Sequence, residues 1–153
     1  MIVLFLDIDG VLNKREFNPE ARSSNFVPEC VENLNRVLRA VPDCVIVLSS
    51  AWRYLVSGGA MTLAGFNCLL RTHGVKDTPV VGLTRNDDQL EDPKGRGRQI
   101  LEWVSSNPGV KKFVAVDDLD IAVEGLPFIM TDGDSGMTVE NSNKLIAILK
   151  DMS

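Results

Sequence analysis

Short apolar runs recur along the 153-residue chain and are separated by more polar stretches. Runs this short, bounded by polar or turn residues and rich in β-branched side chains, are typical of strands buried on both faces. The runs occupy residues 2–6, 44–48, 79–83, 113–116 and 127–131. The pattern therefore predicts five buried strands.

Helical patterns lie between several of these runs. Pro28 suits the first position of a helix, and the apolar stripe that follows it stops at Pro42. A second helical pattern follows the Gly95–Gly97 segment and is stopped by Pro108-Gly109, and a third begins near Val139. These spacings predict three helices of ordinary length.

Strands that alternate with helices predict an α/β fold. We expect a three-layer α/β/α sandwich with a mostly parallel, Rossmann-like sheet, formed by residues 1–153 as a single domain. The less regular stretch 51–73 predicts one or two short helices, with His73 capping a helix end and Trp52 in the core. Ligands of such sheets bind beyond the carboxyl ends of the strands.

Oxygen-bearing side chains directly follow three of the predicted strands, so we expect them to meet at one edge of the sheet. Singly, each would also suit a helix cap or a turn, a role that Ser50 fits well. Carboxylates held close together repel one another unless a cation such as Mg²⁺ neutralises them. The residues are Asp7, Asp9, Ser49, Ser50, Asp117 and Asp118.

This arrangement suits phosphoryl transfer, which needs positioning and charge neutralisation more than covalent chemistry. Asp7, Asp9 and Asp117 would bind one Mg²⁺ ion. Asp7, at the end of its strand, is the candidate nucleophile, and Asp9 is the candidate acid and base. The hydroxyl of Ser49 could hold a phosphoryl oxygen, and Gly10 would let the backbone turn sharply or approach a ligand closely.

Four segments, in the same order along the chain, resemble the motifs of the haloacid dehalogenase-like (HAD) phosphohydrolases. The segments are Phe5-Leu6-Asp7-Ile8-Asp9-Gly10, Val47-Leu48-Ser49, Lys94 at the start of a helix, and Val116-Asp117-Asp118. More narrowly, Ser49-Ser50-Ala51-Trp52-Arg53 and the Gly-Arg-Gly segment are similar to the small HAD domains of RNA-repair proteins.

The resemblance implies a role for each matching residue. Asp7 would be the nucleophile of an aspartyl-phosphate mechanism, Asp9 the acid and base, and Ser49 and Lys94 the phosphate-holding residues. Asp117 would bind Mg²⁺, and Asp118 would bind it through water or orient Lys94. Arg96 competes closely with Lys94, and we also assign substrate contacts to Gly10, Ser50 and Arg53.

The segments between the motifs bear on substrate size. Residues 11–27 are too few for a folded cap, and residues 51–78 could form at most a small helical lid. HAD proteins without a cap tend to accept large substrates or to cover their sites by forming homo-oligomers. We therefore expect a phosphorylated RNA or DNA end as substrate, with a small-metabolite phosphatase as the alternative.

Composition refines this picture. A net charge of −5 argues against a surface built for non-specific nucleic-acid binding, although it allows a local basic rim. We expect that rim to contain Arg53, Lys94, Arg96 and Arg98. Three cysteines without metal-site spacing predict free, buried thiols in a reducing, cytoplasmic protein, and no apolar run is long enough to span a membrane.

Two alternatives belong to other functional classes. A phosphoacceptor signalling domain also combines acidic residues, a hydroxyl and a lysine on a parallel sheet, but it would not need Asp9 to activate water. A non-catalytic module that binds metal and phosphate is disfavoured because both Asp7 and Asp9 are present.

Overall fold

The computed structural model describes residues 1–14, 26–76, 80–84 and 92–151. The strands are β1 (Ile2–Leu6), β2 (Cys44–Leu48), β3 (Val80–Leu83), β4 (Lys112–Asp117) and β5 (Phe128–Met130). The helices are α1 (Pro28–Ala40), α2 (Arg53–Ser57), α3 (Leu63–Thr72), α4 (Pro93–Ser105) and α5 (Val139–Lys150). The five strands form one parallel sheet in the order β3-β2-β1-β4-β5.

The side chains of β1 alternate between the two faces of the sheet. Leu4 and Leu6 join an apolar cluster with residues of α1, α3 and α5, whereas Val3 and Phe5 pack with Ile100 of α4 on the opposite face. Both faces of the sheet are thus covered by helices. The predicted α/β sandwich is confirmed, and the described sheet is entirely parallel.

The sequence explains where several helices begin. Pro28 and Pro93 each occupy the first turn of a helix, where a missing backbone N–H costs nothing. Thr138 and Asn141 form a reciprocal capping box at the start of α5. The starts of α1, α4 and α5 therefore follow local sequence signals.

The order of the strands places a ligand site at a defined point. The chain builds β2 and β3 on one side of β1 and then crosses to add β4 and β5 on the other. Asp7 follows β1 and Asp117 ends β4, so these residues flank the reversal in strand order. In open parallel sheets, ligands bind at this switch point.

Most of the predicted elements are confirmed. The stretch 51–73 forms the two short helices α2 and α3, and His73 caps α3. Residue 79, the predicted start of the third strand, lies outside the described residues.

The expected burial of all three free thiols is wrong for Cys68, which is exposed on α3. No helix among the described residues has the length and apolarity to cross a membrane.

Candidate active site

Three buried carboxylates meet at the carboxyl edge of the sheet. Asp7, Asp117 and Asp118 each offer an oxygen within 4.8 Å of the others. Gly10 makes this convergence possible, because a Cβ at that position would lie 2.3 Å from Oδ2 of Asp118. Its φ of +80° is also a conformation that other residues adopt reluctantly. The glycine of the first motif thus has a steric role in the site.

The electrostatics of this cluster call for a positive charge. Burial raises the pKa of Asp7 well above its ordinary value, and the neighbouring charge of Asp117 raises it further. Arg96 opposes this shift: its Nη1 lies 2.8 Å from Oδ2 of Asp117 and 3.7 Å from Oδ2 of Asp7. Burial lowers the pKa of Arg96, but the charges of Asp117 and Asp7 more than compensate, so that its pKa is raised.

The cation beside the carboxylates is Arg96 rather than Lys94. The side chain of Lys94 is 41% exposed, and its Nζ contacts Oδ1 of Asp120 at 3.0 Å. On the sequence, Lys94 is the preferred phosphate-holding cation, but the position of its side chain does not support that role. The cause is helical geometry, because residues two apart on a helix point in different directions.

Asp9 occupies a different environment from the other carboxylates. It is exposed and lies outside the three-carboxylate cluster. Its Oδ2 accepts a hydrogen bond of 3.0 Å from Nε1 of Trp52, and its Oδ1 accepts one of 2.9 Å from Nδ2 of Asn13. The side chain is thus held at the site without joining the set of candidate metal ligands.

The end of β2 brings Ser49, Ser50 and Arg53 to the site region. Ser49 is buried, and its Oγ has no hydrogen-bond partner among the described residues. The Ser50 hydroxyl accepts a bond of 3.2 Å from the backbone N–H of Trp52, and its carbonyl accepts one of 2.9 Å from Nη1 of Arg53. Ser50 therefore shapes the turn after β2.

The expected basic rim is not present as predicted. Arg53 is fully buried and so cannot belong to a rim. Arg98 is exposed, but its Nη2 contacts Oδ2 of Asp92 at 2.9 Å. Since Lys94 is paired in the same way, carboxylates accompany both exposed cations.

An open cavity of about 190 Å³ lies over the carboxylates. Its walls include Asp7, Asp9, Ala51, Arg96, Asp118 and Leu119. The candidate nucleophile, the candidate acid and base, and a guanidinium thus face one space. Such an arrangement can bind an anionic group and transfer it to a carboxylate.

Residues 3–142 match a family model described as the HAD domain in Swiss Army Knife RNA repair proteins. The chain belongs to this family. Comparisons with curated proteins and with solved structures give no significant match. The family assignment agrees with the parallel sheet and places the chain among domains of the hydrolase and phosphatase superfamily.

The carboxylate cluster of this HAD domain fits a magnesium ion. Mg²⁺ prefers hard oxygen ligands and is usually bound by one or two carboxylates together with substrate oxygens. Asp7, Asp117 and Asp118 supply such oxygens, and their mutual repulsion would be relieved by a divalent cation. These three residues are the candidate ligands, while the side chain of Asp9 lies elsewhere.

The side chains of Trp52 and Asn13 make hydrogen bonds in this HAD domain that the sequence did not predict. Trp52 does pack in the core as predicted, with its ring centroid 5.6 Å from that of Phe26 and 6.5 Å from that of Phe66. Its indole N–H nevertheless reaches Asp9. Asn13 lies three residues after Gly10, and only the folded turn shows that its side chain binds both Asp9 and the Gly10 N–H.

Proposed function

We propose that this HAD domain is a Mg²⁺-dependent phosphomonoesterase that acts through an aspartyl-phosphate on Asp7, with phosphorylated nucleic-acid ends as substrates. The decisive observation is the open cavity that Asp7, Asp9 and Arg96 share. A nucleophile, a proton donor and a phosphate-binding cation are the groups that this reaction requires.

In the first half of the reaction, a carboxylate oxygen of Asp7 attacks the phosphorus. The bond between phosphorus and the ester oxygen breaks, and the leaving oxygen takes a proton from the carboxylic acid of Asp9. Arg96 and Ser49 stabilise the charge on the non-bridging oxygens. Trp52 and Asn13 hold the Asp9 carboxyl group in place.

In the second half, the ionised Asp9 removes a proton from a water molecule. The resulting hydroxide attacks the phosphorus, the bond to the Asp7 oxygen breaks, and inorganic phosphate leaves. Asp9 is protonated again and Asp7 is again a carboxylate. One carboxyl group can serve as acid and then as base because it remains exposed to the cavity.

Asp7 must be ionised to attack, although burial and Asp117 favour its protonated form. Arg96 shifts the balance back toward the carboxylate. A bound Mg²⁺ ion would supply the remaining positive charge and polarise a phosphoryl oxygen. Asp7, Asp117 and Asp118 would hold it.

The nucleic-acid part of the proposal has two supports. The matching family model is described as the HAD domain in Swiss Army Knife RNA repair proteins, and this description favours a nucleic-acid substrate. The cavity is open, so a terminal phosphate could enter while the rest of a polymer stays outside. A terminal phosphate on an RNA or DNA strand is therefore the substrate that we favour.

Release of inorganic phosphate from an end-phosphorylated oligonucleotide tests the proposal. We expect activity with Mg²⁺, loss of activity after chelation, and recovery when Mg²⁺ returns. Asp7→Asn should reduce turnover at least a thousandfold, roughly the loss expected when a nucleophile is removed. Asp43→Asn, at an exposed position between α1 and β2, is the matched control and should retain activity. Full activity after exhaustive chelation, or in Asp7→Asn, would contradict the proposal.

A further inference from the structure

Buried polar atoms without partners are concentrated near the ends of β2 and β3. Among the described residues, such atoms occur in four side chains, which are Ser49, Arg53, Thr84 and Gln99. Ser49 follows β2 and Thr84 follows β3. Since native folds satisfy nearly all buried polar groups, a local group of unsatisfied atoms points to a missing ligand.

The register of the sheet brings Ser49 and Thr84 together. Leu48 pairs with Leu83, and the backbone N–H of Thr84 donates to the Leu48 carbonyl at 3.1 Å. The preceding pair, Val47 and Gly82, lies on the face of the sheet that α4 covers. Because alternate residues share a face, both hydroxyl-bearing residues belong to the α4 side.

Arg53 adds a buried positive charge to this region. Its Nη1 donates to the Ser50 carbonyl, but Nε and Nη2 have no partner, and no described carboxylate forms an ion pair with it. Burial lowers the pKa of Arg53, and the nearby charge of Arg96 lowers it further. The Nε–H and Nη2–H groups of Arg53 are therefore buried donors from which an anionic ligand could accept hydrogen bonds.

We propose that Arg53 and Thr84 extend the phosphate-holding site of Ser49 into an oxyanion pocket that binds phosphoryl oxygens beside the Asp7 centre. The Nε and Nη2 fork of an arginine matches two oxygens of a phosphate, and each hydroxyl can donate one further hydrogen bond. The pocket deepens the proposed phosphatase function and rests on it for the identity of the anion. Gln99 offers an acceptor atom and is not part of the donor set.

Thr84→Val tests the pocket because it keeps the side-chain shape and removes only the hydroxyl. In phosphate-free buffer with a chelator, the variant should be at least as stable as the wild-type chain, since a buried unsatisfied group is lost. With Mg²⁺ present, its affinity for inorganic phosphate in calorimetric titration should fall about tenfold, the effect of one hydrogen bond to a charged group.

Two further variants complete the design. Arg53→Lys removes the fork but keeps the charge and should also weaken phosphate binding. Thr72→Val, on the exposed end of α3, is the matched control and should bind phosphate like the wild-type chain. Phosphate affinity that is unchanged in Thr84→Val, a less stable Thr84→Val in phosphate-free buffer, or a wild-type chain that does not bind phosphate would overturn the pocket.

A second titration separates substrate phosphate from free phosphate. It uses Asp7→Asn and Asp7→Asn/Thr84→Val with an end-phosphorylated oligonucleotide. Weaker binding by the double variant assigns the pocket to the substrate, and an effect on inorganic phosphate alone assigns it to the product. Neither titration requires turnover, so failed hydrolysis would contradict the proposed function and leave the pocket intact.

Discussion

Asp9 is distinguished, at the residue scale, by what holds its carboxylate. Asp7 lies beside Arg96 and the carboxylates of Asp117 and Asp118. The carboxylate of Asp9 is instead held by two neutral N–H donors, from Trp52 and Asn13. A general acid and base must keep its orientation through two proton transfers. In the proposed mechanism, the indole N–H of Trp52 would therefore position Asp9 for proton transfer, while its ring packs in the core.

Trp52→Phe should preserve the ring packing and remove the hydrogen bond to Asp9. We expect kcat to fall about tenfold with KM nearly unchanged, because the lost bond affects the proton transfer more than substrate binding. Steady-state kinetics and a melting curve check this. Trp103→Phe, which alters a tryptophan packed against Phe5 on the other sheet face, is the control. Equal changes in kcat for both variants would contradict a positioning role.

We expect Asp7 to destabilise the folded protein at neutral pH when no divalent ion is present. Burial raises its pKa in the folded state, so the folded protein binds the proton more tightly than the unfolded chain. Stability from this group is thus present below the ordinary carboxyl pKa and is lost as pH rises toward the raised value.

Asp7→Asn should consequently melt higher than the wild-type chain at neutral pH in chelator, by about 2–4 °C if it recovers about 1 kcal/mol. The difference should shrink as pH approaches the ordinary value of 3.8. Thermal melts at several pH values check this. A variant that melts lower at neutral pH, or a difference that grows on acidification, would contradict the assigned pKa direction.

At the scale of elements, α4 determines which cation reaches the site. Gly97 lets this helix approach the segment after β4 closely, since a Cβ there would lie 2.1 Å from the carbonyl oxygen of Ile121. Arg96 is its neighbour on the helix and pairs with Asp117. A shift of α4 away from β4 would therefore remove Arg96 from the carboxylates.

Gly97→Ala should displace α4, with a loss of about 1–3 kcal/mol in the free energy of unfolding and a marked fall in kcat/KM. Denaturant titration and kinetics measure the two effects. Gly109→Ala is the matched control, because a Cβ there meets nothing within 4 Å. Wild-type activity in Gly97→Ala would contradict the role of this close approach.

Elements were easier to predict than the contacts between them. Five-residue apolar runs such as Ile2–Leu6 predict buried strands because few other structures bury a run that short. The choice between Lys94 and Arg96 depended on the first residue of α4 and on its packing against Ile121, neither of which a motif defines. Thr84 followed no recognised motif, and only its burial and its missing partner single it out.

On the scale of the whole molecule, a parallel sheet gathers distant residues at one edge. Asp7, Ser49 and Asp117 come from three strands, and their convergence was predictable because the strands are parallel. The net charge is −5, and Lys94 and Arg98 are paired with carboxylates, so within the described part of the chain the carboxyl edge is where a phosphate would bind. Recognition of a single terminal phosphate fits this charge distribution better than tracking along a polymer backbone.

The most direct test of the central claim is detection of phosphate on Asp7. The wild-type chain is mixed with Mg²⁺ and an end-phosphorylated oligonucleotide, quenched in acid within the first turnover, and digested for mass spectrometry. We predict one added phosphoryl group on the peptide that contains Asp7, and none in Asp7→Asn. Rapid release of phosphate without any such adduct, or an adduct on another residue, would contradict the account.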